Sequence, residues 1–339
     1  MKDVFEVWPG LRSVFPDGDV LFISDRQYVV DLMAARGLPS EHLAEISEPP
    51  ESVVLVGCDY ASLGPREALH ELFAGSRVLW VPLVSFDPAP GAARYSLDLM
   101  LASDLAASTK GNRDWTSVLR RARRPLVVGS DRTSLTFQVV RDDIVVVTRL
   151  QPLLDVGEFV SIAEYFEVDI DSSLDVGADA DADADAGSHS DTGGTGTGTG
   201  GGKASYTADG TFWADGLCVA RHPQLDLDAP ALKGARELAA RVAEAGGMLV
   251  RVEDCHVVSA VCGGEDWASE LARYAGESGS RLIEFSFGTN TEILGALDWS
   301  VNSQINEGAG GVHIGVGDGV SGAHIDFVLP AAKVGLAAA

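Results

Sequence analysis

The chain has 339 residues, 46% hydrophobic and 22% charged, which is room for two domains with buried cores and too apolar for a wholly disordered protein. Its 25 Lys and Arg face 50 Asp and Glu, a formal net charge of −25 that repels phosphate backbones and anionic lipid, so neither nucleic acid nor membrane is an expected partner. No apolar run reaches the ~20 residues of a bilayer span, and Met1-Lys2-Asp3-Val4-Phe5-Glu6 carries acids where a secretory signal carries positive charge; the expectation is a cytoplasmic protein.

In chain order, apolar runs of strand length at Val20–Ser24, Ser52–Gly57, Arg77–Val81 and Leu126–Gly129 are continuous, as in strands buried on both faces. Helical segments lie between them: Asp25–Arg36 with Asp25 as cap, Pro65–Ala74 with proline at its start, and Ala92–Ala107. This alternation predicts an N-terminal α/β domain over residues 1–150, a Rossmann-like parallel sheet covered by helices. Ser134–Val140 and Ile144–Arg149, either side of Arg141-Asp142-Asp143, read as a hairpin.

A connection over 151–171 leads into a low-complexity stretch at 172–202. There Asp and Ala alternate from Asp179 to Ala186, and Gly and Thr fill most of Gly193–Gly202. Such residues bury too little apolar area to offset the entropy of ordering, so a disordered acidic and Gly-Thr loop is expected. Beyond it, over 203–339, Ala231–Ala245 reads as an amphipathic helix closed by Gly246-Gly247. Met248–Glu253 and His256–Val261 read as paired strands, Glu265–Ala275 as a helix, and Arg281–Phe287, Gly311–Val316 and Ala323–Leu329 as further strands, an α+β domain.

The common catalytic motifs are missing. No strand is followed by G-x-G-x-x-G, there is no G-x-S-x-G or H-E-x-x-H, and Gly202-Lys203 fails as a phosphate loop because Thr197 and Ala204 stand at the required Gly and Ser/Thr. Cys58, Cys218, Cys255 and Cys262 form no C-x-x-C and read as small buried residues. Arg120, Arg121, Arg123 and Arg124 read as a solvated helix C-terminus offsetting the macrodipole, with a docking patch for an acidic peptide as the alternative.

The C-terminal fifty residues are richer in chemistry. Glu284, His313, His324 and Asp326 each sit inside an apolar β-like run flanked by glycine, and His324 and Asp326, two apart, share one face of a strand. Buried charge must be paired or metal-bound, and a Glu, two His and an Asp are ligands that zinc, cobalt or manganese accepts. Spacing alone leaves metal ligation and a purely hydrogen-bonded structural pair both open.

The block Glu284 … Asn306-Glu307 … His313-Ile-Gly-Val-Gly … His324-Ile-Asp326-Phe resembles the end of the thermophilic aminopeptidase family, the leucyl aminopeptidase T type. That resemblance implies an aminopeptidase-like C-terminal domain holding two metal ions, a homodimer, and ligand positions at Glu284, His313, His324 and Asp326. It also implies a first glutamate, for which Glu158 in Gly157-Glu158-Phe159-Val160 is one counterpart. In the other alignment Ala204-Ser-Tyr-Thr-Ala-Asp followed by Asp215-Gly216 fills the place and the glutamate is lost. The chain departs from the family in that ten residues, none of them tyrosine, separate His313 from His324, where the family has a long loop with a tyrosine ligand. Asn306 replaces the acid before Glu307. As a whole the chain is also similar to the peptide-binding accessory proteins of crocagin-type ribosomal peptide biosynthesis.

These resemblances imply a non-catalytic peptide-binding protein on a degenerate metallo-aminopeptidase scaffold, with no cofactor. It would present a short or precursor peptide to a separate modifying enzyme, with Glu307 and the four arginines as candidate peptide contacts. The alternative is an active aminopeptidase retaining zinc, cobalt or manganese. A third reading, a nucleotide or small-molecule module in the N-terminal half, lacks any phosphate-cradling motif.

Overall fold

The central strands of one sheet are continuous apolar runs, and many strands of the two others alternate. The computed structural model describes residues 3–139, 146–170 and 206–337. The first sheet takes Val20–Ser24 (β1), Ser40–His42 (β2), Ser52–Gly57 (β3), Arg77–Pro82 (β4) and, later in the chain, Phe159–Ser161; it is wholly parallel in the order β2-β1-β3-β4 and then the late strand. Every residue of β3 is buried, which explains its lack of alternation.

The remaining strands in chain order are Leu126–Ser130 (β5), Thr133–Val139 (β6), Val146–Val147 (β7), Phe159–Ser161 (β8), Glu167–Ile170 (β9), Tyr206–Ala214 (β10), Gly216–Ala220 (β11), Met248–Glu253 (β12), His256–Cys262 (β13), Glu265–Asp266 (β14), Leu282–Gly288 (β15), Gly311–Val316 (β16), His324–Leu329 (β17) and Lys333–Leu336 (β18). Among the described residues they form two antiparallel sheets. One has the order β14-β13-β12-β10-β6-β5-β18, the other β11-β17-β16-β15-β9-β7. The two sheets bury a shared apolar core in which Phe137 stacks on Phe285 with ring centroids 3.9 Å apart. The amphipathic helix Pro230–Ala245 adds Leu232, Leu238 and Val242 to that core and ends on Gly246 in the left-handed region, φ 74°.

Several elements differ from the sequence expectation. Leu126–Ser130 is an antiparallel strand of the seven-stranded sheet, not a member of the parallel one, because it pairs with Thr133–Val139 and Lys333–Leu336. The expected hairpin is replaced by that pairing: β6 lies between β5 and β10, whereas β7 joins β9 in the other sheet. Residues 140–145 between them, and the 172–202 stretch, lie outside the described residues. The helix expected over Ala92–Ala107 is two, Pro90–Ala102 and Leu105–Arg121, the second started by Asp104, whose carboxylate accepts from the Ala106 and Ala107 amides. Asp25 caps no helix and instead accepts from the Cys58 amide at 2.7 Å. Glu265 and Asp266 are a strand, and the helix begins at Ala268.

Candidate functional site

The six-stranded sheet has two unlike faces. Phe285 and Phe287, Val312 and Ile314, Ile325 and Phe327 point into the inter-sheet core. The register brings the alternate residues together on the other face: Ser286 is opposite both His313 and Asp169, Gly315 opposite both Glu284 and Asp326, and His324 opposite Ala220. A bulge between Leu282 and Glu284 lets Leu282 enter the core while Glu284 turns to the polar face.

The polar face is covered by the parallel-sheet half. Phe86 packs on Cys218, Ala220 and Val328, and the short helix Gln304–Glu307 contacts β11 and β17. Ser303 caps that helix and Asn306 fixes it: Asn306 accepts from Tyr95 Oη at 2.6 Å and donates to Asp298 O and Val301 O at 3.1 and 3.0 Å. Asn306 is thus a clamp, and Glu307 beside it is delivered into the cluster.

Within the cluster, His313 Nε2 lies 2.8 Å from Glu284 Oε1 and 3.5 Å from Glu167 Oε2. His324 Nε2 lies 3.0 Å from Glu284 Oε2 and 2.9 Å from Asp326 Oδ1, and its Nδ1 faces Gly317 O at 2.7 Å. Ser286 Oγ donates toward Asp169 and Glu284 at 3.1 and 3.0 Å. His313 and Asp326 are fully buried, while Glu284 and Glu167 keep side-chain exposures of 20% and 12%, so the cluster is reached from their side. A Cβ on Gly315 would stand 2.7 Å from Asp326 Oδ1 and 2.9 Å from both Glu284 Cβ and His324 Cε1; only glycine leaves the room these side chains occupy.

Charge balance decides the protonation. Glu167, Asp169, Glu284, Glu307 and Asp326 outnumber His313 and His324, so acids must keep protons or a cation must enter. Burial, reinforced by Glu284 and Asp326, raises Glu167 to about 8. Burial likewise pushes Asp169 and Glu307 well above the usual carboxylate range, with Glu284 adding to the first and Asp326 to the second. Glu284 is opposite: burial would raise it, but the two imidazoles hold it well below. Burial opposes the His313 proton, yet Glu284 and Glu167 outweigh it and raise the group to about 9; Asp326 and Glu284 likewise overcome burial at His324 and hold it well above its ordinary value.

The donor set also fits one divalent ion. Glu284, Glu307, His313 and Asp326 each offer an atom within 4.8 Å of the others, and His313 Nδ1 takes no hydrogen bond. Mixed carboxylate and imidazole donors suit zinc, manganese or cobalt.

Of the residues expected from sequence, Glu284, His313, His324 and Asp326 come together, and Glu307 joins them at 2% exposure rather than standing at a surface. Glu158 is not brought there: its oxygens accept from the Arg149 guanidinium at 3.0 and 2.9 Å. Arg120 and Arg121 close the helix Leu105–Arg121, and all four arginines of the run are exposed. Glu167 and Asp169 were not anticipated. Their signal is the alternation Glu167-Val-Asp169-Ile, the same polar-then-apolar pattern as His324-Ile-Asp326-Phe.

The family model described as crocagin biosynthetic protein CgnE/B matches residues 17–337. The chain belongs to that family. The CgnE/B likeness spans both the parallel-sheet half and the two antiparallel sheets. Among solved structures, wild-type AmpT from Thermus thermophilus is 12% identical with a TM-score of 0.42, over 93% of this chain and 89% of that one. A 2,5-dihydroxypyridine dioxygenase from Pseudomonas putida KT2440 is 11% identical with a TM-score of 0.43, over 98% of this chain and 90% of that one. No curated protein matches the chain. Among the described residues no helix is long and apolar enough to cross a membrane.

Proposed function

We propose that this CgnE/B-family chain is a non-catalytic peptide-binding protein that holds a precursor peptide for a separate modifying enzyme of the pathway. The observation that carries the reading is the family match over residues 17–337, beside a Glu284 whose two oxygens lie 2.8 and 3.0 Å from the two histidines. The closing segment between those histidines is short, and its Asp318 accepts from the Val320 and Ser321 amides instead of turning toward the cluster. Peptide contact then falls to the seam above the cluster and to sheet edges, where main-chain pairing recognises extended chains.

A second reading has its own support in the convergence of Glu307 and Asp326 on the same buried space. With Glu284 and His313 they would hold one zinc, manganese or cobalt ion, which when bound lowers the pKa of its water and polarises a carbonyl. Metal content of the purified protein, measured beside peptide binding and release of N-terminal residues, separates the two. Peptide binding without turnover at any metal loading supports presentation; stoichiometric metal with aminopeptidase turnover overturns it.

A further inference from the structure

Outside the cluster, the seam holds a buried cation with no carboxylate in direct contact among the described residues. Arg221 follows β11, is 6% exposed, donates from Nη1 to Leu225 O at 3.1 Å, and leaves Nε without a partner. No carboxylate forms a contact ion pair with it among the described residues; Asp59 and Asp226 favour its charge only from a distance. Its guanidinium stands 5.0 Å above the Tyr60 ring, and its backbone amide donates to Ser85 O at 3.0 Å. Tyr60 Oη and Ser85 Oγ are 2.7 Å apart. A second guanidinium, Arg236, donates to Phe86 O at 2.7 Å and also leaves its Nε unpartnered. Burying cations this way costs stability unless an anion arrives.

The location is the one where parallel sheets receive ligands. Tyr60 follows the carboxyl end of β3 and Ser85 that of β4. Tyr60 is shared with a cavity of about 260 Å³ whose walls are mostly apolar, Leu63, Leu69, Trp80, Phe159 and Pro223, with Arg66 and Glu164 among them; Pro223 is only two residues beyond Arg221. That volume is below the ~300–1,000 Å³ of a drug-sized ligand site and suits a single apolar side chain. A guanidinium fork matches a planar carboxylate, and the missing Gly-rich loop argues against phosphate.

We propose that Arg221 and the Tyr60-walled cavity together receive the last residue of a peptide, the guanidinium taking its free α-carboxylate and the cavity its apolar side chain. This rests on the peptide-binding reading and adds to it a polarity: the peptide enters carboxyl end first.

The test uses the full chain and calorimetric titration with N-acetyl-Gly-Gly-Leu, its C-terminal amide, and N-acetyl-Gly-Gly-Gly. The free acid ending in Leu is expected to bind at least tenfold tighter than the amide and than the Gly peptide, and Arg221→Gln to erase the acid-over-amide preference. Equal binding of acid and amide, or of Leu and Gly peptides, overturns the proposal, as does binding of none of them. Inorganic phosphate displacing the Leu peptide at equal or lower concentration overturns it too, in favour of a phosphate site. Should Arg221→Gln fail to fold, the wild-type comparisons still decide. A longer precursor peptide that binds equally well as acid and amide would sink the polarity while leaving peptide presentation standing.

Discussion

The carboxylate–imidazole cluster makes the metal-free protein sensitive to alkali, and Glu167→Gln isolates the cause. Glu167 moves from its usual 4.5 to about 8 in the folded chain, so the folded state holds a proton the unfolded chain has released. Its stabilising contribution is complete below the lower value and is lost as pH rises through the upper one. The slope is about 1.4 kcal/mol per pH unit, so across that interval the loss is on the order of 5 kcal/mol, comparable with a whole domain's net stability. His313 acts in the same direction, fully stabilising below its usual 6.5 and losing that contribution as pH passes about 9. Glu284, depressed in the fold, stabilises above the usual carboxylate range and fails only on acidification, which sets the acid limit. Thermal unfolding in chelator-treated protein should therefore fall by roughly 10 °C or more between about pH 6 and pH 9, at ~2–4 °C per kcal/mol. Glu167→Gln keeps the shape of the protonated acid and should flatten the decline, melting above wild type by a margin that grows from about pH 6 to about pH 8 and meeting it only near pH 4.5, where the proton's contribution is complete. Parallel pH profiles for wild type and variant would refute this account of where the proton sits.

Gly315→Ala drives a methyl against Asp326, Glu284 and His324 at 2.7–2.9 Å and should destabilise by about 1–3 kcal/mol in urea unfolding. Tyr95→Phe removes the hydroxyl that donates to Asn306 and accepts from the Asp298 amide at 2.7 Å; the unsatisfied Asn306 oxygen should lower stability by about 1–3 kcal/mol. Zinc or manganese titration should show weaker binding in Glu307→Gln and Asp326→Asn, and no change in Glu158→Gln, whose partner is Arg149. Retained affinity in the first two, or its loss in the third, would move the ion's place.

Much of the site was legible because most of its acids and histidines lie on strands whose other face is apolar. His313-Ile-Gly-Val and His324-Ile-Asp326-Phe announce themselves by alternation, and β16 falls where the sequence puts it. What was hidden depends on long-range register. Glu167 reaches His313 only because β9 pairs with β15, more than a hundred residues later, and nothing local ranks it above Glu158. The strand at 126–130 shows why sheet membership resists reading: Leu126-Val-Val-Gly is as apolar as a parallel core strand, and its partners, Thr133–Val139 and the chain's closing strand, decide otherwise. The break before Leu105 was readable from Asp104 as a cap within a longer helical pattern.

The bulge at Leu282 and Glu284 has a wider effect than re-aiming one acid. Because neighbouring positions along a strand look to opposite sides, sliding β15 by a single place would thrust Glu284 and Ser286 among the phenylalanines and turn Phe285 and Phe287 onto the acids. A mispaired sheet of this composition would be penalised on both surfaces at once. The same pattern that builds the cluster therefore also proofreads the alignment of the strands that carry it.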